Sequence, residues 1–144
     1  MIETKLLSTA FGIYLTSTVF YAILFFKQVP LLAALSRGTL LAGLIFQAAA
    51  LLMRTATSGH APFSNMYESL IFFSWSLMLV FLIGANYWRL YRLGFFVLMF
   101  NLAILMYAFS HDAAIKPLMP ALQSNWMLLH VAACFLAYAA FGIS

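Results

Sequence analysis

Charges and turn residues divide the chain into five apolar runs. The first is Leu6–Phe26, 21 residues without a charge, and the second lies between Arg37 and Arg54. The third follows Asn65 and runs to about Trp88, the fourth is Leu93–Ser110, and the fifth starts near Trp126. A helix needs about 20 apolar residues to cross a hydrocarbon core of ~30 Å. The pattern therefore predicts an all-α integral membrane protein with about five transmembrane helices, the last cut short by the end of the chain. The second run holds 16 residues between its arginines. Both side chains are expected to snorkel to the interfaces, so that this run still spans. Pro30, Gly59, Pro62, Pro117 and Pro120 fall in the connectors, as loop punctuation. Nothing repeats internally, and residues 1–144 read as one polytopic membrane domain.

Composition agrees with lipid as the solvent. The chain is 66% hydrophobic and 7% charged, with a mean hydropathy of +1.03, whereas soluble domains carry about 25% charged residues. The formal charge of +4 comes from seven Lys and Arg spread over the loops. That distribution reads as topology signal and not as a nucleic-acid footprint. Lys27, Arg37, Arg89 and Arg92 fall on one side of the membrane, and Lys5, Arg54 and Lys116 on the other. Placing the first group in the cytoplasm puts the N-terminus, the Arg54–Ser64 loop and the Ser110–Asn125 loop outside. His60, His111 and His130 then share the outer face. The first run is longer than a signal-peptide core, and Lys27-Gln28-Val29-Pro30 follows it in place of a small-x-small cleavage site. It is expected to remain as a membrane helix. Trp88, Trp126 and several tyrosines lie near predicted interfaces, as aromatic belts do.

Two helix starts are legible. Asn65 can cap the third helix, with Glu68 three residues on in capping-box position. This capping role explains Glu68 without any further function. Ser124 or Asn125 can cap the fifth helix. His130 then sits about one turn inside, ~7 Å of rise from Asn125, and shares a face with Trp126 at i and i+4.

His130 is the leading candidate for chemistry. Ionisable residues within a membrane are rare and mark functional sites by default, and a neutral imidazole binds iron, zinc or copper. The competing reading is a histidine that hydrogen-bonds a neighbouring helix or a lipid headgroup, and the residues alone leave both open. His60, between a Gly and an Ala-Pro, reads as a solvated turn residue. His111 and Asp112 read as a polar loop tip or as a proton-carrying pair. The single cysteine, Cys134, lies in an apolar run, so there is no disulfide framework and no Cys-x-x-Cys-His haem-attachment motif. HExxH, P-loop and nucleophile-elbow motifs are absent. Glu3, Glu68 and Asp112 all fall at the edges of the runs, which argues against a proton-driven transporter.

Two segments resemble a known family. Gly59-His60-Ala61-Pro62-Phe63-Ser64-Asn65-Met66-Tyr67-Glu68-Ser69-Leu70 is similar to the G-H-x-P-x-S-N-x-Y-E-S-L segment of the CcsA family, the System II cytochrome c biogenesis proteins of bacteria and chloroplasts. Pro120-Ala121-Leu122-Gln123-Ser124-Asn125-Trp126, followed by His130-Val131, resembles that family's P-x-L-Q-S-x-W-x-x-x-H-V. The resemblance implies haem delivery across the membrane and its attachment to Cys-x-x-Cys-His motifs of apocytochrome c, together with a CcsB-type membrane partner. It implies haem b as the group handled, His130 as one of two outward-facing axial ligands of the haem iron, and Trp126 packed on the porphyrin edge. The implied location is the bacterial inner membrane or the thylakoid membrane, with the histidines on the periplasmic or lumenal side.

The family's tryptophan-rich W-G-x-x-W-x-W-D segment, its second outward histidine and its later intramembrane histidine do not occur here. The chain is therefore expected to be the N-terminal part of such a protein. Full-length members act in haem–cytochrome c ligation, and this stretch alone is expected to be inactive. The alternative is a non-enzymatic membrane scaffold or transporter subunit with structural histidines. A haem-containing quinone oxidoreductase subunit would need a second histidine inside a span.

Overall fold

The structure, a computed structural model, describes residues 2–27, 29–88, 91–115, 117 and 123–143, without the side chains of residues 86–88 and 91. Arg89, Lys116 and the Pro120, Ala121 and Leu122 of the second motif lie outside the described residues, as does the Trp88 side chain. Five helices follow one another: α1 Ile2–Phe26, α2 Pro30–Ser58, α3 Met66–Trp88, α4 Gly94–Phe109 and α5 Asn125–Ile143, with a 3-10 turn at Tyr91–Leu93. No strand occurs among the described residues. Helices α1, α2, α3 and α5 are long and apolar enough to cross a membrane, and α4 is a shorter apolar helix of 16 residues. Its rise of ~24 Å, with about 6 Å from the preceding 3-10 turn, brings it to the core thickness. The all-α multi-pass architecture expected from the apolar runs is the one observed.

The second helix departs from expectation. It is 29 residues long and runs well past both arginines. Local chemistry sets its ends. Val29 is extended and Pro30 occupies the first helical position, where its missing N–H costs nothing. At the other end Gly59 adopts φ +73°, a left-handed conformation, and its N–H donates to the Thr55 carbonyl at 2.9 Å. Arg37 therefore sits exposed inside α2 and not in a loop. Nor does Arg54 snorkel to water: it is 3% exposed.

Small residues let the helices approach. Gly43 of α2 lies under the Tyr14 ring of α1, and a Cβ there would come within 2.5 Å of Tyr14 Cε1. Tyr21 covers Gly94 at the start of α4 in the same way. Gly43→Leu should force α1 and α2 apart and lower the unfolding midpoint in detergent, at an overpacking cost of about 1–3 kcal/mol or more. Gly38→Leu, where nothing lies within 4 Å, serves as the control and should leave the midpoint unchanged.

A chain of buried polar groups crosses the bundle. The Tyr14 hydroxyl donates to Gln47 Oε1 at 2.7 Å, and Gln47 Nε2 donates to the Ile71 carbonyl and to Ser74 Oγ, each at 3.1 Å. Ser74 Oγ in turn donates to Asn101 Oδ1 at 2.7 Å. These four side chains come from α1, α2, α3 and α4, and all are fully buried. In lipid each such interhelical bond contributes about 0.6 kcal/mol on average, and together they fix the register of four helices. This polar chain runs from α1 to α4. Helix α5 packs mainly on α3, and Ala139 is its one buried residue among those described.

Candidate functional site

One end of the bundle converges on Arg54. Its Nε donates to Glu68 Oε1 at 2.7 Å, its Nη1 to Glu3 Oε1 at 2.9 Å and its Nη2 to the Ala113 carbonyl at 2.9 Å. The guanidinium also lies 5.0 Å from the centre of the Tyr67 ring. Glu68 is fully buried and Glu3 is 19% exposed. An apolar environment makes unpaired charge costly, and a fork of planar donors facing two carboxylates is the geometry that offsets this cost. One side chain thereby links the start of α1, the end of α2, the start of α3 and the α4–α5 connector.

Glu68 does more than cap. Asn65 takes the N-cap position as the sequence suggests, its Oδ1 accepting the Glu68 N–H at 2.9 Å, and its Nδ2 donates to the Ala114 carbonyl at 3.0 Å. The reciprocal bond goes one residue further out than in a capping box. Glu68 Oε2 accepts both the N–H and the hydroxyl of Ser64, each at 2.7 Å. Its other oxygen holds Arg54. The acidic residues read as isolated edge groups are thus partly drawn together, Glu3 and Glu68 on one guanidinium. Periodicity could not reveal this pairing. Charge could have: Arg54, Glu3 and Glu68 all belong to segments that the alternation of spans places at one membrane end.

The three histidines belong to segments at that same end of the bundle. His60 is half-buried, and its Nδ1 lies 2.9 Å from the Ala61 carbonyl. That acceptor requires a proton on Nδ1. His111 meets Tyr107 edge-on at a centroid distance of 4.7 Å. Asp112 Oδ1 accepts the Ala114 N–H at 2.9 Å, a local turn of the connector. His130 is exposed on α5, Trp126 one turn earlier is 82% exposed, and Cys134 Sγ lies 3.6 Å from His130 Nε2 one turn later. The spacings of four place all three on one helix face. The structure gathers no group of three or more His, Cys, Asp or Glu into a metal site among the described residues. His130 thus presents its imidazole on an exposed helix face, with the Cys134 thiol beside Nε2. Ser124 precedes the helix, and its carbonyl accepts the Leu128 N–H at 3.0 Å.

Behind this face, an aromatic cluster seats α5 on the bundle. Phe135 stacks on Phe63 at 5.9 Å and 23°, and lies 5.7 Å from Phe72 and 6.1 Å from Phe73. Phe63 and Phe72 meet edge-to-face at 4.8 Å.

Residues 63–144, which carry α3, α4, α5 and the His130 face, match the family described as cytochrome C assembly protein. The chain belongs to that family. Individual relatives extend the similarity to the first two helices. The protein named cytochrome c biogenesis protein CcsA from Gloeobacter violaceus is 35% identical over 146 residues, covering 96% of this chain and 43% of the relative. Its namesake from Microcystis aeruginosa is 36% identical over 145 residues, covering 96% and 44%. That of Nymphaea alba is 41% identical over 98 residues, covering 62% and 30%. The chain thus spans less than half the length of these curated relatives. No solved structure matches it significantly.

Proposed function

We propose that this chain is the haem-presenting part of a System II cytochrome c biogenesis protein. The observation that carries the reading is the exposed imidazole of His130, on an open helix face beside Trp126, in a member of the cytochrome c assembly family. The relatives bear the name cytochrome c biogenesis protein CcsA, and the segments around His60 and His130 resemble the motifs of the CcsA family. Haem b is the substrate. His130 is one axial ligand of its iron on the outer side of the membrane, the periplasm or the lumen, and Trp126 packs against the porphyrin edge. An axial imidazole holds the iron while the thiols of a Cys-x-x-Cys-His motif approach the vinyl groups, each S–H adding across a C=C bond. A CcsB-type membrane protein is the partner. Within this chain the work is binding and orientation. The bundle of α1–α4 provides the rigid frame, and α5 carries the ligand.

Deletion of the gene tests this reading. Cells without it should lose covalently bound haem from their c-type cytochromes on haem-stained gels while retaining b-type haem proteins, and expression of the complete gene product should restore them. Normal c-type cytochromes in the deletion strain would overturn the assignment in favour of a membrane scaffold.

A further inference from the structure

We propose that the buried Arg54–Glu68 pair positions His130, acting through Ser64 and Phe63 on Phe135 of α5. The inference rests on the ligand reading above and adds to it a specific relay. Helix α5 is the least embedded of the five. Its one buried residue among those described is Ala139, and Ile143 packs on the core near its C-terminal end, so that Phe135 in the aromatic cluster is the seat nearest His130. The position of Phe135 therefore sets the placement of the N-terminal half of the helix, which carries His130.

Phe63 is the cluster member not carried on a helix. It lies in the α2–α3 loop, next to Ser64, and Ser64 is fixed by two bonds of 2.7 Å to Glu68 Oε2. Glu68 Oε1 is held in turn by Arg54 Nε at 2.7 Å. A continuous set of contacts thus runs from the guanidinium to α5. The same guanidinium grips the Ala113 carbonyl in the connector that leads into α5, and Asn65 grips Ala114.

Sensitivity follows from lever arms. His130 stands five residues from Phe135, ~7.5 Å along the helix axis. A binding group needs placement within about 0.5 Å, and a rotation of α5 by ~10° already moves an atom ~6 Å from its axis by about 1 Å. The rest of the bundle has its own support. The Tyr14–Gln47–Ser74–Asn101 chain ties α1 to α4 without using Arg54. Loss of the pair should therefore loosen α5 while leaving the four-helix frame in place.

The experiment uses the complete gene product in detergent. Arg54→Gln with Glu68→Gln removes both charges of the fully buried pair together, and Glu3, which is 19% exposed, keeps some access to water. Two readouts are taken. In haem-free protein, spin labels attached through Ile45→Cys on α2 and Leu129→Cys on α5, in a Cys134→Ala background, report the placement of α5. Haem bound per folded protein is measured by absorbance with Cys134 intact. The double variant should broaden the label-to-label distribution and lower haem occupancy by about tenfold, at the low end of the 10- to 100-fold range that outer-shell partners of a metal site command. An unchanged distribution, or unchanged haem per folded protein, would overturn the proposal. Should the double variant fail to accumulate, Arg54→Lys is read in its place. It keeps a charge for Glu68 but cannot reach both carboxylates and Ala113 at once, and its loss should be smaller, about 2- to 3-fold. His130→Ala separates the two ideas. If it retains haem, the ligand reading falls. If it loses haem while the double variant keeps both haem and label distances, only the positioning role falls.

Discussion

Arg54→Leu alone should destabilise the protein by about 3–5 kcal/mol, the cost of stranding a buried charge. Glu68 would be left with its fully buried carboxylate, two Ser64 donors and no cation. Glu68→Leu should cost a similar amount, although Glu3 would still partly neutralise Arg54 at 2.9 Å. Combining the two substitutions should cost much less than their sum. In the double variant the one carboxylate left without its cation is Glu3, which at 19% exposure keeps some access to water, and the unsatisfied Ser64 donors and Ala113 carbonyl cost about 1–3 kcal/mol each where they stay dry. Such non-additivity is the signature of residues acting as one unit. Unfolding midpoints of the two single variants and the double variant in a mixed detergent series would measure it. Single variants that each cost less than about 1 kcal/mol would mean that the pair behaves as a surface ion pair, contrary to its burial.

The prediction concerns a feature that the apolar pattern conceals. Helix number was legible because a membrane span needs a long uncharged run, and all five runs became helices. Their limits were less so. Arg37 and Arg54 look like boundaries of the second span only if a charge must reach water. Helix α2 ends instead where the backbone changes, at Pro30 and at the left-handed Gly59. Arg54 avoids water because Glu3, 51 positions away, and Glu68, 14 positions away, come to it. No local period encodes a pairing across three helices. The polar chain of Tyr14, Gln47, Ser74 and Asn101 was hidden in the same way, as scattered polar residues within apolar runs.

The candidate site was more visible. The spacing of Trp126 and His130 already places both on one helix face, and the structure exposes both. The same rule applied once more would have added Cys134, which lies 3.6 Å from Nε2. By contrast, the stacking of Phe63 on Phe135 joins residues 72 positions apart and depends on a loop geometry that only the folded chain defines. Local chemistry thus shows what α5 presents, and tertiary contacts decide where it is held.

His130→Ala in the complete gene product should lower haem bound per protein at least about tenfold, the equivalent of 1.4 kcal/mol, a modest figure for an axial nitrogen ligand. Stability should barely change, because the side chain is exposed and meets the Cys134 thiol at 3.6 Å, a weak contact. That combination separates a ligand from a packing residue. Free imidazole supplied to the variant should restore part of the absorbance, since it can occupy the vacated position without the helix. Trp126→Leu should weaken binding less, about 2- to 10-fold, as expected for loss of an aromatic contact of ~0.5–1.5 kcal/mol. Cys134→Ala should leave occupancy unchanged or raise it, because the thiol competes with iron for Nε2. Retention of full haem absorbance and normal cytochrome c maturation in His130→Ala would remove this histidine from the site. The exposed face of α5 would then be a packing surface, and Trp126→Phe and His130→Leu should both be tolerated.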